Sequence, residues 1–299
     1  MRSIPIRPVN AQRVSGTKRR VMVVGLIIAA TVLAAALVIG SINAQSTPIM
    51  RTASVQIRGL GPDASPIRIA LLSDIHFGNR SMTPHRLSQI VDQVNAANPD
   101  IILIAGDFVT GHEASGAAER AGGLEGPLTQ LSARYGKAAV LGNHDHWTNP
   151  AAIRAALSKA NILVLHNQAA RLGPLTIVGV GDRFSGNDDI ALSLRAARAL
   201  GGPAIVLTHS PDLVLSLPST FPLVLAGHTH CGQVVIPGLG PLLTRAPKAQ
   251  WRELYAPRYR CGLVREPGRT TIITGGLGSG TTPIRLGAMP DWWLITVHP

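Results

Sequence analysis

The sequence predicts an α/β domain preceded by one apolar N-terminal helix. Three observations carry this. Six short apolar runs recur from residue 67 onward, and each is followed by Asp, Asn or His. Helical patterns lie between several of them. Upstream, Val21–Ile42 runs for 22 residues without a charge.

Residues 1–20 are a basic tail. Arg2, Arg7, Arg13, Lys18, Arg19 and Arg20 meet no acid there and supply half of the formal net charge of +12. Residues 21–42 follow as a transmembrane helix. At 1.5 Å per residue they span a ~30 Å hydrocarbon layer, and the run exceeds the 7–15 residues of an ordinary signal peptide. It has no polar face of the kind a core helix shows. Six basic residues before the span against Arg51 and Arg58 after it place the N-terminus in the cytoplasm. The expected topology is a single-pass inner-membrane protein with its domain outside. Arg19-Arg20 also permits export by the twin-arginine route, which would leave open whether the helix is retained.

Residues 43–65 read as a linker with a first strand near Ser54–Ile57, and 66–299 as the main domain. The runs Ile67–Leu72, Ile101–Ala105, Ala138–Leu141, Ile177–Val180, Ala204–Leu207 and Leu223–Ala226 are continuous and short, as strands buried on both faces are. Helices are expected at Pro84–Ala97 behind the cap Thr83, at Leu128–Tyr135, at Pro150–Ala160 behind Asn149, and at Ile190–Leu200. Residues 111–127, rich in Gly and Ala, read as a mobile loop. Past residue 233 the pattern turns to short strands between Gly and Pro: Val234–Pro237, Leu254–Tyr255, Gly262–Val264, Thr270–Thr274 and Trp292–Val297. Cys231 and Cys261 fit either one disulfide or two free thiols. No basic run interleaved with aromatics is present, so no specific nucleic-acid partner is expected.

In open α/β sheets ligands bind beyond the carboxyl ends of strands, and there the polar residues gather. Asp74, His76, Asp107, Asn143, His209, His228 and His230 combine hard carboxylates, neutral imidazoles and an amide oxygen. Two neighbouring divalent cations require that mix. Gly78, Gly227 and Gly232 let the backbone turn so that alternate residues reach one centre.

The blocks D-I-H (74–76), G-D (106–107), G-N-H-D (142–145), T-H (208–209) and G-H-T-H (227–230), in this order, resemble the calcineurin-like metallophosphoesterases. G-H-T-H-C-G-Q-V and the late G-G-L-G-S-G-T-T-P-I-R-L-G-A (275–288) are most similar to the membrane-attached bacterial branch that includes YkuE and YaeI. The resemblance implies a four-layer αββα sandwich. It implies that Asp74, His76 and His230 hold one metal, that Asn143, His209 and His228 hold a second, and that Asp107 bridges them. It also implies a catalytic His144 oriented by Asp145, and the likeness of its segment makes Arg285 a substrate-contact candidate; Trp147 is a second such candidate. Many relatives carry a second Asp three residues after the bridging one, where this chain has Thr110.

The expected activity is hydrolysis of phosphomono- or phosphodiesters at a membrane surface, on a substrate of lipid or cell-envelope origin. A hydroxide bridging two cations roughly 3.5–4 Å apart would attack in line. Mn, Fe, Zn and Ni all suit these ligands. One alternative is a pyrophosphohydrolase of a nucleotide-linked lipid such as UDP-2,3-diacylglucosamine, whose cytoplasmic location conflicts with the expected topology. The other is a binding scaffold without activity, in which losses among these residues would be expected; the chain keeps them all.

Overall fold

In the computed structural model, which describes residues 16–61, 64–246 and 251–299, the apolar runs become two six-stranded sheets. The first contains β1 (Ile49–Gln56), β2 (Ile67–Leu72), β3 (Ile101–Ala105), β4 (Lys137–Val140), β5 (Leu163–Val164) and the last strand β16 (Asp291–His298), in the order β1-β16-β2-β3-β4-β5. The second contains β6 (Gln168–Leu172), β7 (Leu175–Gly179), β8 (Ala204–Leu207), β9 (Leu223–Ala226), β14 (Gly262–Glu266) and β15 (Arg269–Ile273), in the order β14-β15-β9-β8-β7-β6. Between the two halves of this sheet the chain makes two small ribbons, β10 (Val235–Ile236) with β11 (Gly240–Pro241), and β12 (Arg245–Ala246) with β13 (Arg252–Glu253).

Side chains alternate faces along a strand, so each continuous run feeds two cores. Ile69, Leu71, Ile101 and Leu103 point between the sheets and meet Ile177, Ile205, Leu207, Leu223 and Leu225 from the other side. Their neighbours Ala70, Leu72, Ile102 and Ile104 point outward onto helices α2 (Pro84–Ala96), α3 (Ala117–Thr129) and α5 (Pro150–Lys159). On the far side Val178, Val206, Val224 and Ile273 pack against Ala197 of α6 (Ile190–Leu200) and the short turn around Leu213. The result is the four-layer sandwich. Helix α4 (Asn143–Trp147) is a single turn at the end of β4.

Helix α1 runs from Gly16 to Gln45, longer at both ends than the span 21–42. Its stretch Lys18–Gln45 is long and apolar enough to cross a membrane. The chain divides into residues 1–39 and residues 40–299. The first fifteen residues, which include most of the basic tail, lie outside the described residues.

Four expectations change. Leu254–Tyr255, expected as a strand, is a bend that follows β13. The first strand begins at Ile49 rather than Ser54 and pairs along its whole length with β16. The Gly-rich stretch expected to be a mobile loop is mostly helix α3, because Ala117, Ala121, Leu124 and Leu128 form one buried stripe. Gly123 costs about 1 kcal/mol of helix propensity against Ala, but a Cβ there would run into the Phe77 ring. The helix expected at 128–135 is therefore displaced upstream, and Lys137 closes its end by donating to the Leu128 and Leu131 carbonyls.

Candidate metal centre

The parallel strands β2, β3, β4, β8 and β9 end on one rim, and the loops leaving them carry the selected residues. Asp74 and His76 follow β2, Asp107 follows β3, and Asn143, His144 and Asp145 open α4 behind β4. His209 follows β8, and His228 and His230 follow β9. The loops are tight. Asp74, His76, Asp107, His228 and His230 all have positive φ, between 49° and 72°. A non-glycine residue held there costs roughly 1–3 kcal/mol. That conformation turns the backbone so that both polar side chains of the D-x-H and H-x-H pairs face inward. Gly106 approaches the next loop so closely that a Cβ would sit 2.5 Å from the Gly142 nitrogen.

All seven side chains converge. His76 Nε2 and His230 Nε2 lie 3.0 Å apart, and Asp74 Oδ1 lies 3.5 Å from His230 Nε2 and 3.8 Å from His76 Nε2. In a second group Asn143 Oδ1 lies 3.1 Å from His209 Nε2, which lies 3.2 Å from His228 Nδ1. Asp107 Oδ2 stands between the groups, 3.6 Å from His76 Nε2 and 3.3 Å from His209 Nε2. Donors on one cation at ~2.1 Å sit roughly 3 Å from each other. These spacings fit two metal spheres sharing one carboxylate oxygen. Asp74 Oδ1 is also buried without a hydrogen-bond partner, a cost that a cation would remove.

Burial governs the charge states. It pushes the Asp74 carboxyl up to about 7 and His76 and His228 down to about 3 and about 4. His230 is also lowered by burial, with His76 and the Arg285 cation adding to the effect. Burial works against the Asp107 anion, but His209, His144 and His76 around it hold the carboxyl well below the usual range. The same pairing holds His209 well above its ordinary value although burial opposes it. Three of the imidazoles therefore present free lone pairs near neutral pH.

Asp145 does not orient His144. Its carboxylate accepts from the backbone N–H groups of Asp107, Phe108, Val109 and Gly142, which ties the β3 loop to the β4 loop. His144 is held instead by the Gly111 carbonyl, 2.6 Å from Nδ1, and its ring joins His76 and Asp107 within 4.8 Å. Arg285, expected at the substrate, is fully buried. It donates to the carbonyls of Gly275, Gly278 and Ala288, and its Nη2 lies 2.9 Å from His230 Nδ1. It stands behind the site, because guanidinium donors buried in that loop saturate on its carbonyls. Trp147 does lie at the rim, half-buried, with its ring 5.2 Å from that of His144.

Sequence reasoning passed over His112. It is half-buried between His144 and Trp147, at ring separations of 4.7 and 5.3 Å, with Nε2 3.2 Å from Thr281 Oγ1. Cys231 and Cys261 form a disulfide, which fixes the residue directly after His230.

The family model for calcineurin-like phosphoesterases matches residues 67–232. A zebrafish protein named "transmembrane protein with metallophosphoesterase domain" is 30% identical over 89% of this chain, which covers 61% of that protein's length. YkuE of Bacillus subtilis, named as an uncharacterized metallophosphoesterase, is 27% identical over 77% of this chain and 78% of its own. Among solved structures, a 5'-nucleotidase precursor from Thermus thermophilus overlaps 78% of this chain and 55% of its own, at 16% identity and a TM-score of 0.45.

Proposed function

This chain belongs to the calcineurin-like phosphoesterase family, and from that premise we propose that it is a metal-dependent phosphoester hydrolase with a two-cation centre, working at a membrane surface. The observation that carries the proposal is the position of Asp107 Oδ2 between two complete donor sets. Asp74, His76 and His230 would hold one cation with Asp107. Asn143, His209 and His228 would hold the other. When bound, the cations polarise phosphate oxygens and lower the pKa of water. Two carboxylates against two dications leave roughly two positive charges uncompensated, which suits an anionic phosphoester.

The chain's own residues do the rest. His144 is the proton donor for the oxygen that leaves as water attacks phosphorus from the opposite side. The Gly111 carbonyl accepts from its Nδ1–H, so the ring is fixed and Nε2 is the nitrogen left for proton transfer. Asp145 supports the reaction indirectly, by clamping the loops that carry Asp107 and Asn143. His112 and Trp147 form the wall beside His144, where the leaving group would lie. Arg285 holds His230 from behind.

The basic residues flanking α1 support a reading with the N-terminus in the cytoplasm and the domain outside the inner membrane. The Cys231–Cys261 disulfide supports that side, since oxidising compartments keep such bonds. Both features weigh against UDP-2,3-diacylglucosamine and for a phosphoester reached from the outer face, of lipid or cell-envelope origin.

The test is an assay of the purified full-length protein, stripped of metal and reloaded separately with Mn, Fe, Zn and Ni, on monoester, diester and nucleotide-diphospho-lipid substrates. Metal-restored turnover of a mono- or diester is expected. A metal-loaded protein inert toward every class would favour the scaffold reading instead.

A further inference from the structure

We propose that the ribbon residues Ile236–Ala246, together with Trp251, form a lipid-docking wedge that seats the rim of the metal centre on a bilayer. The argument begins with exposure. Ile236, Leu239, Leu242, Leu243 and Trp251 are all exposed, and Leu239 is 83% accessible. Other exposed large apolar residues of the domain, such as Leu163, Leu192 and Leu215, are scattered singly, which is ordinary for a protein surface. Five within sixteen residues is not ordinary. The wedge is tied down at its root, where Val235 donates to the Leu286 carbonyl and Leu242 to that of Val234.

Charge points to the same partner. Residues 235–260 contain Arg245, Lys248, Arg252, Arg258 and Arg260 against the single acid Glu253; Arg245 pairs with Glu253 and Arg258 with Glu266, which leaves Lys248, Arg252 and Arg260 as the excess. Aliphatic side chains and a tryptophan set among basic residues match an interface of acyl chains beneath anionic headgroups. An acidic or neutral protein groove would satisfy one half of that pattern but not the other.

Placement completes it. The segment 284–286 touches both the end of α1 and the root of the wedge. Arg285 N–H donates to the Gly40 carbonyl and Asn43 Nδ2 to the Arg285 carbonyl. The next residue, Leu286, bridges Val234. Gly40 and Asn43, near the end of α1, therefore meet the domain beside the root of the wedge. The other side of the root borders the metal centre. Gln233 Oε1 accepts from the Gly280 N–H, and the left-handed turn His230–Gln233 connects it to a selected ligand. Inserting the wedge would bring that rim to the headgroup level, whatever ester the site cleaves.

The experiment uses the full-length protein in vesicles of phosphatidylcholine with phosphatidylglycerol. The native cysteines are paired, so Leu239→Cys and, separately, Leu242→Cys can be labelled with an environment-sensitive fluorophore. Ser219→Cys, exposed ahead of β9 at the opposite end of that strand, is the reference. Doxyl-lipid quenching should place the labels at 239 and 242 roughly 5–10 Å below the headgroup boundary. The label at 219 should be quenched only by aqueous iodide. Iodide access at 239 and 242 equal to that at 219 would overturn the proposal. So would shielding from iodide without doxyl quenching, which would mean that a second copy of the chain covers the wedge.

Discussion

Replacing Asp145 by Asn separates a structural clamp from a catalytic partner. The side chain is fully buried and its two oxygens accept four backbone N–H groups, from Asp107 and Gly142 on Oδ2 and from Phe108 and Val109 on Oδ1. Burial and the nearby Asp107 push the carboxyl up to about 7, but those donors occupy its lone pairs and leave no room for a proton. Asparagine keeps the shape and turns one oxygen into an NH₂ facing two N–H groups. Two hydrogen bonds to a charged acceptor are lost, at about 1.5–3 kcal/mol each. The expected loss is therefore about 3–6 kcal/mol, a large part of a typical domain's 5–15 kcal/mol. Denaturant unfolding of the metal-free protein reads it directly, and metal content should fall because both Asp107 and Asn143 sit on the loosened loops. Unchanged stability and metal content, with only kcat lowered, would refute the clamp and restore Asp145 as the partner of His144.

His144→Ala is expected to retain its metal and lose roughly 10²–10⁴-fold in kcat; near-normal turnover of the metal-verified variant would remove His144 from the chemistry. Arg285→Ala should lower metal occupancy more than it raises KM, since the guanidinium backs His230 and is shut off from the rim. A raised KM with full metal occupancy would place Arg285 at the substrate after all. Metal uptake should release protons near pH 7, because Asp74 titrates at about 7 and His209 is held well above its ordinary value, while His76 at about 3 has none to lose. Apparent affinity then rises with pH through neutrality. Calorimetry in buffers of different ionisation enthalpy measures the released protons, and buffer-independent heats would contradict the assignment. Cys261→Ser opens a loop of 30 residues, worth about 3–4 kcal/mol in the chain-entropy account, and should weaken the metal held by His230.

The sequence was informative wherever the determinant was local. The continuous apolar runs Ile67–Leu72 and Ile101–Ala105 specified strands with two buried faces, and Thr83 and Asn149 marked helix starts. The Asp, Asn and His residues behind the strands stood out as candidate ligands, because metal chemistry restricts the residue types that can serve, and the family resemblance divided them into two groups. It was uninformative where a residue's role depends on a distant neighbour. Asp145 follows His144 in the chain, yet its partners are backbone groups of the preceding loop. Arg285 reads as a substrate contact until Gly275, Gly278 and His230 are seen around it. Gly123 lies in a stretch that reads as a mobile loop until the Phe77 ring is seen packed where a Cβ would be.

The composition and spacing of the chain by themselves determined that an apolar helix precedes an α/β domain whose polar residues collect at strand ends. Tertiary structure alone decided that β1 pairs with β16, Ile49 opposite Asp291, that Cys231 meets Cys261, and that one oxygen of Asp107 faces both imidazole groups. The physical reason is that side-chain type and periodicity act over a few residues. Strand order, loop contact and ligand convergence are fixed only when the two sheets bury their inner faces against each other.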